Sequence, residues 1–305
     1  MSYSKSNFLK AKKFYLNFLK KQEVKGEPFY DKLGQLSKFY FPICNSISKI
    51  SCLDKDVTVI GLSGGQGSGK TTIAHILKII LKKAYNKNVI NFSIDDFYKT
   101  LSQREKMSKN IHPLFLIRGV PGTHDINLLN KSFKSLFKKK FKPFYIPKFD
   151  KSIDDRFSKK NWTKIKRKPE IVIFEGWCVG ARQQKKNQLK KPLNKLEKTK
   201  DKNISWRKKV NNELKTKYKK LFNEIDHLIF LKVPSFKYVR KWRILQEKKL
   251  FLKSKGKKIM SEKQINEFVM FYERITRQMI KDLKKTANVV INLDKKHRLN
   301  DIKFN

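Results

Sequence analysis

Acidic residues are scarce in this chain. There are 26 of them against 73 lysines and arginines among 305 residues, a formal net charge of +47. Such an excess raises the question of a polyanionic partner such as nucleic acid. The lysines are spread over the whole length, however, and no aromatic-interleaved RNA motif accompanies them. The favoured reading is a solvated basic surface on an enzyme with anionic substrates, and specific nucleic-acid binding is not expected. Cysteine is scarce too. Cys44, Cys52 and Cys178 are odd in number and form no C-x-x-C pair. This excludes a disulfide framework or a zinc site and fits a reducing, cytoplasmic setting. Long apolar runs are missing: no stretch approaches the ~20 residues needed to cross a bilayer, so no membrane partner is expected. The first 21 residues are basic, but lysine interrupts their apolar positions, unlike the core of a secretory signal. No Asn-Lys-x-Asp follows a late strand, since Asn194-Lys195-Leu196-Glu197 ends in Glu, which argues against a GTP-dependent switch. There is no internal repeat.

Hydrophobic residues make up 39% and charged residues 32%. The first share is below and the second above the usual globular composition, yet the apolar residues are clustered enough to build a core. The central stretch is Gly64-Gly65-Gln66-Gly67-Ser68-Gly69-Lys70-Thr71-Thr72, which fits G-x-x-x-x-G-K-[ST] in full. A short β-branched run over 57–62 precedes it and reads as a buried strand. Ile73, Ile76, Leu77, Ile80 and Leu81 follow it on one helical face. Further strands are expected over 89–94, 171–174, 228–233 and 289–293. A basic helix is expected over 236–252, and Ser261 with Gln264 forms a capping-box start for another. Strands alternating with helices imply an α/β fold: a mostly parallel five-stranded sheet with helices on both faces. Residues 1–52 read as an N-terminal helical extension, with Phe8, Leu9, Phe14, Tyr15, Phe18 and Leu19 as its stripe and a second segment over 30–40. Residues 53–305 form the main domain. Within it, the lysine-rich stretch at about 183–208 reads as a long surface insertion with a functional or lid role.

Each polar motif follows a strand, where open α/β sheets bind ligands. Backbone N–H groups of residues 64–72 would surround phosphate oxygens. Lys70 would reach the β- and γ-phosphates of ATP, and the Thr71 hydroxyl would hold Mg²⁺. Asp95 and Asp96 follow the second strand. A carboxylate there suits a base that accepts a hydroxyl proton; Asp95 is assigned to that role and to the metal shell, with Asp96 as a metal-shell or structural partner. Glu175 closes an apolar strand and would orient Mg²⁺ directly or through water. Arg240, with Lys241 and Arg243, follows the fourth strand and would supply a cation to the transferred phosphoryl group. Arg118 and Thr123-His124-Asp125 lie in a loop that could bind acceptor hydroxyls, although the residues alone do not distinguish this from a structural turn.

In combination the motifs resemble the P-loop D-glycerate 3-kinase family. They are the glycine loop, Ser93-Ile94-Asp95-Asp96-Phe97-Tyr98, Gly122-Thr123-His124-Asp125, Pro147-Lys148-Phe149-Asp150-Lys151 and Phe174-Glu175-Gly176-Trp177. Val239-Arg240-Lys241-Trp242-Arg243 with Gln246-Glu247, Met260-Ser261-Glu262, and Asn292-Leu293-Asp294 through His297-Arg298 extend the match. More distantly the chain is similar to uridine kinases, phosphoribulokinases and bacterial pantothenate kinases. The resemblance implies ATP- and Mg²⁺-dependent phosphorylation of a small hydroxy acid, D-glycerate to 3-phosphoglycerate. It implies Asp95 as the base and places 292–298 near the adenine. A glycerate carboxylate would need a cation, for which Lys148, Arg156 and Arg182 are placed by location. Uridine, pantothenate or a sugar phosphate are the alternative acceptors, and a nucleic-acid-binding P-loop ATPase is the competing class. The lysine-rich N-terminus and insertion match the family poorly.

Overall fold

The computed structural model describes residues 5–24, 26, 28–51, 55–253 and 260–305. Its main sheet has six strands: β1 Thr58–Gly64, β2 Val89–Ser93, β3 Ile171–Gly176, β4 His227–Lys232, β5 Val289–Leu293 and β6 Leu299–Phe304. Their spatial order is β6-β5-β4-β1-β3-β2. The first five pair in parallel and are the five expected strands. The sixth, β6, is antiparallel to β5 and has no counterpart in the sequence reading. Of its residues only Leu299 is buried, so this edge strand carries little hydrophobic signal.

The inner strands read as continuous apolar runs because both faces are covered. Ile60 and Leu62 of β1 and Ile171 and Ile173 of β3 face one hydrophobic cluster. Val59, Val172 and Phe174 face the other. Among the described residues, eight longer helices accompany the sheet. They are α1 Lys5–Gln22, α2 Phe41–Ile50, α3 Lys70–Ala84, α4 Leu101–Asn110, α5 Ile126–Phe137, α6 Ser205–Glu213, α7 Phe236–Lys253 and α8 Glu262–Thr286. α3 lies in the first cluster, α5 in the second.

The N-terminal helices share the first cluster with α3: Tyr15, Leu19, Phe41, Cys44 and Ile47 are buried with Ile73, Leu77 and Ile80. The buried stripe of α1 is Ala11, Tyr15 and Leu19, four residues apart. Leu9 and Phe14, expected in that stripe, are largely exposed. A widened π-helical turn, Leu36–Tyr40, leads into α2. Pro42 explains it, since it has no N–H to donate and crowds the preceding turn. Cys44 and Cys178 are buried free thiols, and Cys52 lies outside the described residues.

The stretch 183–208, expected as a surface insertion, is instead packed. It contains the helix Lys195–Lys200 and the start of α6, and buries Leu189, Leu196 and Trp206. Its anchor is ionic. Arg207 Nη1 lies 3.1 Å from Asp201 Oδ2, and Arg274 of α8 donates Nε to Glu197 Oε1 at 2.6 Å. Arg207, Asp201 and Glu197 are each at most 3% exposed, so much of the burial is carried by paired charges. Among the described residues no helix is long and apolar enough to cross a membrane.

Candidate active site

β1 ends at Gly64 and α3 begins at Lys70. The intervening loop is pressed against α7. A Cβ on Gly65 would lie 2.9 Å from Val239 Cγ2, and one on Gly67 would lie 2.9 Å from the Trp242 carbonyl carbon. Gly67 also has φ of +73°, which favours glycine. His297 stacks on Trp242 with ring centroids 4.3 Å apart, and burial pushes its imidazole down to about 4. The segments around Val239 and His297 therefore converge on the loop.

Register brings the acids together. Leu62 of β1 lies beside Glu175 of β3, and Ser93 of β2 lies on the other side of Glu175. Thr71 Oγ1 donates to Glu175 Oε1 at 2.8 Å, and Lys70 Nζ donates to the Gly65 carbonyl at 2.9 Å. Burial lowers the Lys70 pKa, while Glu175 and Asp95 oppose the shift. Glu175 is 5% exposed. Burial raises its pKa against the pull of Lys70.

Asp95 and Asp96 have different surroundings. Asp96 accepts from the Ser93 N–H at 3.2 Å in a capping box and from Lys148 Nζ at 3.1 Å. Burial raises its pKa. Asp95 accepts from the Tyr98 hydroxyl at 2.8 Å and from Lys151 Nζ at 2.9 Å. Burial pushes Asp95 up, but Lys151, His124 and Tyr98 together hold it well below the usual carboxylate range. The coupling of Lys151 to Asp95 and Glu175 puts this cation among the P-loop acids.

Two loops pack beside Asp95 and Tyr98. In the first, Thr123 Oγ1 donates to Val120 O at 2.7 Å and accepts from Gly119 N at 2.9 Å, which marks a structural turn. His124 stacks on Tyr98 at 4.5 Å, and Asp125 caps α5 by accepting from Leu128 N. The second loop includes the small ladder Phe149–Asp150 with Asp155–Arg156. Its Asp154 pairs with Arg118 and with the fully buried Arg104. Arg156 Nη2 reaches the Tyr98 carbonyl at 2.8 Å and Asp125 at 3.3 Å. The sequence reading named neither Lys151 nor Arg104 as a site residue; in a chain this basic, a charge in a loop has no contrast. Of the cations it did name, Arg182 is exposed. Arg240 is half-exposed and 3.9 Å from Glu262. Arg243, on the same helix, is 16% exposed and paired with Glu247.

The residues present fit a bound nucleotide phosphate. The loop leaves no room for a side chain at Gly64, Gly65 or Gly67, and Ser63 Oγ, Ser68 Oγ and Gln66 Oε1 are buried without partners. They also fit Mg²⁺. Thr71 and Glu175 are adjacent oxygen donors, and a P-loop Mg²⁺ takes one or two protein ligands alongside phosphates and water. Among the described residues no cluster of three or more His, Cys, Asp or Glu side chains forms a self-sufficient metal site.

A sequence profile described as the phosphoribulokinase/uridine kinase family matches residues 59–239, from β1 into α7. The chain belongs to this family. Its members are P-loop kinases, which implies use of ATP. The chain is 36% identical over 231 residues to the uncharacterized kinase mug58 of Schizosaccharomyces pombe, covering 70% of this chain and 78% of that one. It is 30% identical over 222 residues to the chloroplastic D-glycerate 3-kinase of Arabidopsis thaliana, covering 70% of this chain and 46% of the plant protein. Among solved structures, the D-glycerate 3-kinase of Cryptococcus neoformans superposes with a TM-score of 0.71 at 24% identity, over 90% of this chain and 99% of that one. The likeness establishes the fold they share.

Proposed function

We propose that this kinase transfers the γ-phosphoryl group of ATP to a hydroxyl of a small hydroxy acid, D-glycerate, giving 3-phosphoglycerate. The observation that carries the reading is the convergence of Lys70, Thr71, Glu175 and Asp95 at the ends of the adjacent strands β1, β3 and β2. A family relative bearing the name D-glycerate 3-kinase supports the choice of acceptor.

In this reading residues 64–72 grip the phosphates through main-chain N–H groups at the α3 N-terminus. Lys70 leaves the Gly65 carbonyl to bind phosphate oxygens. Mg²⁺, when bound, neutralises charge on the transferred group; Thr71 and Glu175 would hold it, with Asp95 alongside. Asp95 accepts the proton of the attacking hydroxyl. Asp96 holds Lys148 and the turn after β2. Lys151 bonds Asp95 directly, whereas Arg240 is half-exposed beside Glu262, and Lys151 takes the cationic role expected of Arg240. Residues 53–305 act as the kinase domain, and the helices of 1–52 buttress α3.

The test is a coupled ADP-release assay over D-glycerate, uridine, pantothenate, ribulose 5-phosphate and nucleic acid. Release that depends on D-glycerate is expected. Release that depends on another acceptor, or that only nucleic acid stimulates, would refute the assignment.

A further inference from the structure

Two hydrogen-bond donors beside the proposed base are buried and bonded to nothing. His124 is 1% exposed, and burial pushes its imidazole down to about 4, so the ring is neutral near pH 7. Its Nδ1 lies 2.6 Å from the Tyr218 hydroxyl, which already accepts the Gly122 N–H at 3.0 Å. Tyr218 therefore gives its own proton to Nδ1, and the ring hydrogen sits on Nε2. That Nε2 has no partner. Arg156 Nε is the second such atom.

Both side chains are tied to Tyr98. Arg156 Nη2 donates to the Tyr98 carbonyl, His124 stacks on the Tyr98 ring, and the Tyr98 hydroxyl donates to Asp95. Leaving a buried donor unpaired is costly, and both of these belong to side chains held on Tyr98, whose hydroxyl bonds the proposed base. A guanidinium N–H with a neutral imidazole N–H matches an anionic, oxygen-rich group. The neighbouring cations are engaged already: Lys148 with Asp96, Lys151 with Asp95, and Arg104 and Arg118 with Asp154. Arg156 also pairs with Asp125 through Nη2, which leaves its Nε as the open donor.

We propose that Arg156 Nε and His124 Nε2 form the subsite for the acceptor's carboxylate, and so select hydroxy acids over neutral polyols. This rests on the reading of the protein as a hydroxy-acid kinase.

The experiment compares kcat/KM for D-glycerate and for glycerol, which carries CH₂OH in place of the carboxylate, in the presence of ATP and Mg²⁺. Wild type should prefer glycerate by about 10³-fold or more, as sites built to pair a polar group reject analogues lacking it. Arg156→Lys should lower that ratio by about 100-fold, because a lysine lacks the planar fork. Should Arg156→Lys fail to fold, His124→Asn carries the same test. It should also lower the ratio, and His124→Gln, which returns a donor near the Nε2 position, should restore it. D-Lactate keeps the carboxylate but has no 3-hydroxyl; it should compete with glycerate in wild type, and propane-1,2-diol should not. A selective wild type whose ratio survives in these folded variants overturns the subsite and leaves the proposed function standing. A wild type that takes glycerol as readily as glycerate overturns both.

Discussion

Lys151 Nζ and Asp95 Oδ2 meet at 2.9 Å, although 56 positions separate them in the chain. The pair joins the turn after β2 to the tip of the loop carrying Asp154 and Arg156. It puts a cation against the proposed base and keeps that base ionised despite its burial.

Lys151→Met should therefore move the acid limb of the kcat/KM profile to higher pH. With the cation gone, burial dominates and the Asp95 pKa rises, by roughly one unit or more. A fall in kcat of about 10- to 100-fold should accompany it if the ammonium also steadies the transferred phosphoryl group. A pH–rate profile superimposable on wild type would remove Lys151 from the site.

The two aspartates should separate by substitution. Asp95→Asn should lower kcat by orders of magnitude with ATP affinity nearly intact, since it removes a proton acceptor and leaves the phosphate cradle. Asp96→Asn should cost stability, about 1 kcal/mol from the weakened cap and lost ion pair, with less than about a tenfold effect on kcat. Steady-state kinetics with parallel ATP-binding measurements decide it. The reverse order would make Asp96 the base.

Arg207→Ala should destabilise the fold by about 3 kcal/mol, because it strands the buried carboxylate of Asp201, while Glu197 keeps Arg274. Urea denaturation of wild type and variant measures this. A change within about 0.5 kcal/mol would mean that the 183–208 segment is not anchored as described.

Acid should weaken the protein through His124. Burial lowers its folded pKa from the ordinary 6.5 to about 4, so between those values the unfolded chain binds the extra proton. The stabilising contribution is fully present above about pH 6.5 and is lost as pH falls toward 4, at up to about 1.4 kcal/mol per pH unit. Urea midpoints from pH 7 to pH 5 should fall more steeply for wild type than for His124→Gln. Equal slopes would show that His124 is not held neutral.

The parts of this molecule legible in the sequence are those in which backbone geometry or two-sided burial restricts residue choice. β1, β3 and β5 are near-continuous apolar runs because helices cover both faces, and the glycine loop needs small residues at set spacings where Val239 and Trp242 press on it. Asp95 and Glu175 stand out in the sequence because one follows β2 and the other lies near the end of β3. β6 does not, since it buries one side chain. The 183–208 segment reads as a surface insertion because ion pairs around Arg207 do the anchoring that apolar residues usually do. Arg240 stands out in the sequence for its place after β4. The helix buries a stripe through Phe236, Val239 and Trp242, and Arg240 falls beside it, toward Glu262. Lys151 and Arg156 drew their meaning only from the loop that folds them over Asp95 and Tyr98.

Phosphorus NMR of a reaction containing ATP, Mg²⁺ and D-glycerate tests the central claim most directly. Wild type should produce one phosphomonoester, 3-phosphoglycerate, in step with ADP, and Lys70→Ala should produce none. Appearance of inorganic phosphate alone, or undiminished ester formation by Lys70→Ala, would contradict the account.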